Sequence, residues 1–83
     1  MEIVSYLIKS IRIEEVIKEL QDYFCSLDIF IKDEGHDFYL IQFFTFNKKK
    51  AKVTENDVLV FDLFFKDMTD AIMSYEKINK VEH

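Results

Sequence analysis

Between Ile13 and Leu27 the apolar side chains fall at positions 13, 16, 17, 20, 24 and 27. That is the i, i+3, i+4, i+7 spacing of an amphipathic helix. Glu14, Glu15, Lys18, Glu19 and Asp22 take the opposite face, and Ser10 stands where an N-cap belongs. Upstream, residues 3–8 are short, β-branched and apolar, the composition of a strand. Downstream, residues 28–32 predict a second strand. Asp33-Glu34-Gly35-His36 then predicts a tight hairpin, because Gly35, the only glycine in the chain, takes a positive φ without steric cost. The hairpin returns into a third strand, residues 37–46. One of its faces carries Phe38, Leu40, Gln42, Phe44 and Phe46, and the other Tyr39, Ile41, Phe43 and Thr45. Two apolar faces predict a central strand with something packed on each side, or with one face left for another molecule.

The last third of the pattern is two-valued. Residues 58–65, VLVFDLFF, read as a strand on their β-branched and aromatic content. They also read as a helix opened by the capping box Thr54-Glu55-Asn56-Asp57. The strand reading is preferred, with a second capping signal at Asp67-Met68-Thr69-Asp70 opening a final helix along Met68, Ala71, Ile72, Tyr75 and Ile78. The expected fold is an α+β two-layer sandwich in the order β-α-β-β-β-α, a mostly antiparallel sheet with both helices on one face. The alternative makes residues 54–82 one long C-terminal helix. In the preferred arrangement one aromatic sheet face is uncovered and must meet a partner, a second copy or water.

Eighty-three residues without proline predict a single domain spanning residues 1–83. A core of this size is small, and nine Phe and four Tyr supply the buried area per residue that it needs. The lone Cys25 excludes an internal disulfide and suits a reducing compartment. At the end of the first helix it reads as a partly buried structural thiol. No apolar run reaches the length of a membrane span, and the N-terminal residues lack a basic region and a cleavage site. The expected location is the cytoplasm.

The net charge of −5 is unevenly distributed: with the four lysines of residues 48–52 set aside, the remainder carries −9. Such a surface repels nucleic acid and anionic membranes and favours basic partners. Five aromatics within residues 38–46, followed by Lys48, Lys49, Lys50 and Lys52, raise a nucleic-acid reading, with rings stacking on bases and lysines holding phosphates. Against it, the strand lacks the Gly and Arg/Lys that base-stacking strands place among their rings. The lysines then read as a solvated tip that blunts association. Asp33, Glu34, His36 and Asp37 are the densest set of metal-ligand types, but successive residues of a hairpin point in different directions, and a solvated turn is the better reading. Neither a phosphate loop, a Gly-flanked serine nor an HExxH pattern occurs. The chain therefore reads as a non-enzymatic interaction protein without metal or cofactor. On size and charge alone it is comparable to the small acidic inhibitors carried by phages and mobile elements, and to immunity-type proteins, which occupy a basic surface of a larger protein. Asp33, Glu34 and Asp37 are the expected contacts, with Tyr39 and Phe43 as ring anchors. The readings kept beside it are a module that dimerises through the open aromatic face and a single-stranded nucleic-acid binder.

Overall fold

The computed structural model describes residues 3–25, 27–44 and 55–78. The elements are β1 (Ile3–Ser10), α1 (Ile13–Tyr23), β2 (Asp28–Gly35), β3 (Phe38–Phe44), α2 (Glu55–Asp67) and β4 (Ile72–Ile78). They form one four-stranded sheet in the order β2-β3-β1-β4, with every neighbouring pair antiparallel. β1 and β2 are thus parallel with β3 between them, and β3 and β4 are parallel with β1 between them. The chain is two interleaved strand-helix-strand units of the split β-α-β kind. The α+β class, the antiparallel sheet and the two helices are as the pattern predicts.

The last two elements exchange places relative to the preferred reading: 58–65 lies in a helix and 72–78 is a strand. Nor is 54–82 one long helix. Two causes act together. As a helix, the segment sends Phe61 and Phe65, four residues apart, onto the sheet, where both are buried. Glu55 and Asp57 in its first turn and Lys66 in its last complement the helix dipole. Meanwhile β1, apolar on both faces, needs hydrogen-bonding neighbours on both sides, and only 72–78 is left to supply the second. The Asp67–Asp70 signal closes the helix instead of opening one: the Met68 carbonyl accepts the amides of Ala71 at 3.1 Å and Ile72 at 2.8 Å. At the first helix, the N-cap position falls on Arg12 without a side-chain cap. Ser10 serves the same end from further back, its hydroxyl accepting the Arg12 amide at 3.0 Å.

The core is one cluster between the sheet and the helices. β1 contributes Tyr6 and Ile8, β3 contributes Ile41 and Phe43, α1 contributes Val16 and Leu20, and α2 contributes Phe61 and Phe65. Phe43 lies flat on Phe61, with ring centroids 3.9 Å apart and planes 7° from parallel. Phe24 meets both edge-on, at 5.5 Å and 5.0 Å. The four largest fully enclosed side chains, Tyr6, Phe43, Phe61 and Phe65, are all rings, so a short chain reaches a closed interior without staples.

The hairpin is tighter than one glycine can explain. His36 and Asp37 form its two-residue loop with φ of 55° and 68°, and Gly35 precedes them at 88°. The register slips between Asp33 and Gly35, leaving Glu34 as an extra residue in β2. Two consecutive positive φ values are those of a type I′ turn, for which Asn-Gly is the best sequence. His36 and Asp37 hold that shape at a steric cost. The double substitution His36→Asn, Asp37→Gly is therefore expected to stabilise the chain by about 1 kcal/mol, read as a higher urea midpoint with an unchanged slope.

Candidate interaction surface: the open face of the sheet

Strand side chains alternate, so committing Tyr6, Ile8, Ile41 and Phe43 to the helices commits their neighbours to the other side. The pairing registers lay that side out as rows across β2, β3, β1 and β4. The first is Asp28, Phe44, Ile3; the second Phe30, Gln42, Ser5, Ile78; the third Lys32, Leu40, Leu7, Glu76. In the fourth, Phe38 pairs with Lys9 and Lys9 with Ser74. Within the second row Gln42 donates its side-chain amide to the Ser5 hydroxyl at 3.1 Å. Within the fourth, the Lys9 ammonium lies 5.5 Å from the centre of the Phe38 ring. Ile3 and Phe30 are each 48% exposed, and Leu7, Phe38, Leu40, Phe44 and Ile78 are half-buried. No described residue covers this face. It is concave, a groove of about 750 Å³ lined by Ile3, Leu7, Phe38, Leu40 and Ile78, with Glu34 and His36 of the hairpin at one end.

A second apolar surface lies on the outside of α2, where Leu59 and Leu63, one turn apart, are 60% and 58% exposed beside Val60. The strand reading of 58–65 hid it.

The expected contact residues separate. Asp33 is spent on its own turn, its carboxylate accepting the Gly35 amide at 2.8 Å. The Asp37 carbonyl accepts the Ser10 amide at 2.9 Å, while its side chain is exposed. Tyr39 stands half-buried at the rim of the helix-covered side, with its phenol pKa raised by partial desolvation and by the charges of Asp33 and Asp37. The hairpin thus brings Asp33, Asp37 and Tyr39 together and turns Glu34 toward the open groove. Phe43 is a correction: it is fully enclosed, stacked on Phe61, and has no surface to offer a partner. The outward rings of that strand are Phe38 and Phe44. A sign of this was legible, since Ser5, Lys9 and Gln42, polar residues within the two central strands, share one face, while Ser10 at the end of β1 is the polar residue of the other. Lys48, Lys49, Lys50 and Lys52 lie outside the described residues. Cys25 is exposed and not partly buried as expected, because it follows the last core residue of that segment, Phe24.

The most perturbed titratable group is structural. Tyr6 is fully enclosed, and its hydroxyl donates to Asp62 at 2.9 Å. This explains a carboxylate in the middle of VLVFDLFF: α2 carries the one acceptor that a buried phenol requires. Burial first, then the hydrogen bond and charge of Asp62, raise the phenol far above its usual pKa of 10.0. With neither access nor ionisation, Tyr6 is not poised as a nucleophile or base. Among the described residues no three His, Cys, Asp or Glu side chains converge as a metal ion would require. No described helix is long and apolar enough to cross a membrane. Compared with known protein families, curated proteins and solved structures, the chain matches none of them.

The Tyr6 shift has a definite sign. The unfolded phenol ionises near pH 10 while the folded one stays protonated, so this stabilisation is complete below pH 10 and is lost as pH rises above it. Stability is expected to fall by about 1.4 kcal/mol for each pH unit above 10 from this group alone. Thermal melts between pH 8 and 11.5 read the effect. Tyr6→Phe, which costs about 1 kcal/mol at neutral pH through the lost hydrogen bond, should flatten the alkaline decline, and an unchanged decline would remove Tyr6 as its source.

Proposed function

We propose that this chain is a non-enzymatic protein–protein interaction module whose working surface is the open face of the sheet. The observation that carries the reading is the row of Phe44, Ile3, Phe30, Ile78, Leu40, Leu7 and Phe38 on a face that no described residue covers. An apolar patch with a polar rim is the usual form of a docking surface, and here it surrounds the hydrogen-bonded Gln42–Ser5 pair. Its centre supplies apolar contact, while Asp28, Lys32 and Glu76 at its margins orient whatever docks.

The acidic-inhibitor reading draws on a neighbouring surface. Glu14, Glu15, Glu19 and Asp22 of α1 are all exposed, as are Asp33, Glu34 and Asp37 of the hairpin. A field of this sign accelerates encounter with a basic protein, and the apolar face then supplies the affinity.

A photo-reactive amino acid at position 40, on the open face, is expected to give protein adducts in the source cells, identified by mass spectrometry. The same probe at Gln21, on the exposed side of α1, gives none. Phe30→Glu, which charges the rim without touching the core, should reduce the adducts at position 40. Replacing Asp33, Glu34 and Asp37 by lysine should lower their yield if the acidic tip steers encounter. Absence of adducts from position 40 would end the module reading, and indifference to the three lysines would end its electrostatic part.

A further inference from the structure

We infer that the occupant of the open face is a second copy of the chain, docked about a two-fold axis that runs parallel to the strands above the boundary between β3 and β1. This rests on the reading of that face as an interaction surface and names its partner. The argument lies in the strand order and the register. With the order β2-β3-β1-β4, the proposed axis exchanges β2 with β4 and β3 with β1, while each row stays at its own height.

Each row then meets its own reverse. In the first row Phe44 faces the partner's Ile3. In the second, Phe30 faces the partner's Ile78 and Gln42 faces the partner's Ser5. In the third, Leu40 faces the partner's Leu7, and Lys32 faces the partner's Glu76. In the fourth, Phe38 faces the partner's Lys9, the same ring–ammonium pairing that exists within one chain at 5.5 Å. Apolar meets apolar, the amide meets the hydroxyl, and Lys32 and Glu76 meet their opposites, while Asp28 at the end of the first row faces no described residue of the partner. Within one chain Lys32 and Glu76 sit three strand spacings apart, about 14 Å, too far to pair with each other. Neither has an ion-pair partner among the described residues. The two-fold brings each to a partner of opposite sign twice per dimer.

Packed sheets cross at about 30°, so the rows stay in line near the axis and shift sideways toward the edges. The long side chains of Lys32 and Glu76 span that displacement. The face measures roughly 20 by 20 Å in projection, and its relief brings the area removed from water to the lower end of specific interfaces. Association in the micromolar range follows, since area alone does not give tight binding.

Sedimentation velocity on the full chain from about 1 to about 200 µM tests this. The wild type is expected to pass from one to two copies across that range. Lys32→Glu and Glu76→Lys should each weaken association about tenfold or more, with unchanged circular dichroism. The double substitution in one chain should restore it. An equimolar mixture of the two single variants should associate more tightly than either alone, because each copy then presents the charges the other lacks. A chain that stays monomeric at about 200 µM would overturn the inference. So would a dimer indifferent to the charge exchange, which would place association elsewhere, as on Leu59 and Leu63. Adducts from position 40 to a different protein, with the chain itself monomeric, would overturn the second copy and leave the interaction module standing. Absence of adducts from that position would remove the module as well.

Discussion

The stack of Phe43 on Phe61 decides more of this molecule than any other contact. It sets α2 across the central strands, and with Phe24 and Tyr6 at the ring edges it leaves Phe43 no other place to go. Side chains of a strand alternate with period two, so one inward ring fixes the parity of the whole strand. Phe38, Leu40, Gln42 and Phe44 are turned outward as a consequence, and the register carries the same choice to Ile3, Ser5, Leu7 and Lys9 on β1. The open face is therefore the reverse side of the core. A slip of one residue would bury Gln42 and expose Phe43. Burying a large ring is worth roughly 2–3 kcal/mol, and leaving a buried amide unpaired costs a similar amount, so the two penalties reinforce each other in holding the register.

The asymmetry between the two faces follows from the number of helices. Two interleaved strand-helix-strand units put both described helices on one face and no described helix on the other. Strands used only as structural filler would show polar residues on the uncovered side. Here the uncovered side has polar groups mainly at its margins and in one self-satisfied pair, Gln42 with Ser5. Apart from that pair, its interior carries Phe, Leu and Ile, the residue types of the covered core. That resemblance makes the face an unfinished interior and not merely a tolerant surface. α2 repeats the theme on a smaller scale, since Leu59 and Leu63 point away from the sheet while Phe61 and Phe65 point into it. A helix apolar all round is ordinarily enclosed.

How far the sequence reveals this depends on whether a segment's pattern has one solution. α1 has a clean 3.6-residue stripe and a charged opposite face, and it appears from Ile13 but ends at Tyr23, short of the stripe's last positions at Phe24 and Leu27. The β2–β3 hairpin was legible from Gly35, although the glycine only opens a turn whose loop residues are His36 and Asp37. Residues 58–65 have apolar side chains at nearly every position, so periods of two and of 3.6 fit equally well. The choice was made by tertiary demand, namely Tyr6 requiring Asp62 and the core requiring two rings one helical turn apart. Residues 72–78 carry a weak helical stripe that pairing with β1 overrides, since an unpaired edge on a strand with buried Tyr6 and Ile8 costs more than a modest propensity mismatch. The choice of Phe43 as an anchor failed for a related reason. Aromatic content identified the right strand but not its parity, and the positions of Ser5, Lys9 and Gln42 were the available clue.

Acidity and the open face act at different distances. The excess of exposed carboxylates on α1 and the hairpin is felt at about one Debye length, roughly 8–10 Å, before any contact forms. The apolar rows act only after water has left. Two like-charged copies repel during approach, so self-association of an acidic chain must overcome its own field. In the proposed dimer the placement of Lys32 would address that problem locally. It sets a positive charge on one edge of the face, with Glu76 at the same height on the other, so the approaching rims attract even though the molecules as wholes repel. A basic partner would gain from the acidic residues and, on the open face, meet repulsion at Lys32 and Lys9. Charge of opposite sign at mirrored positions of a single row is of little use for binding a uniformly basic surface, and of direct use for binding a surface that carries the same row reversed.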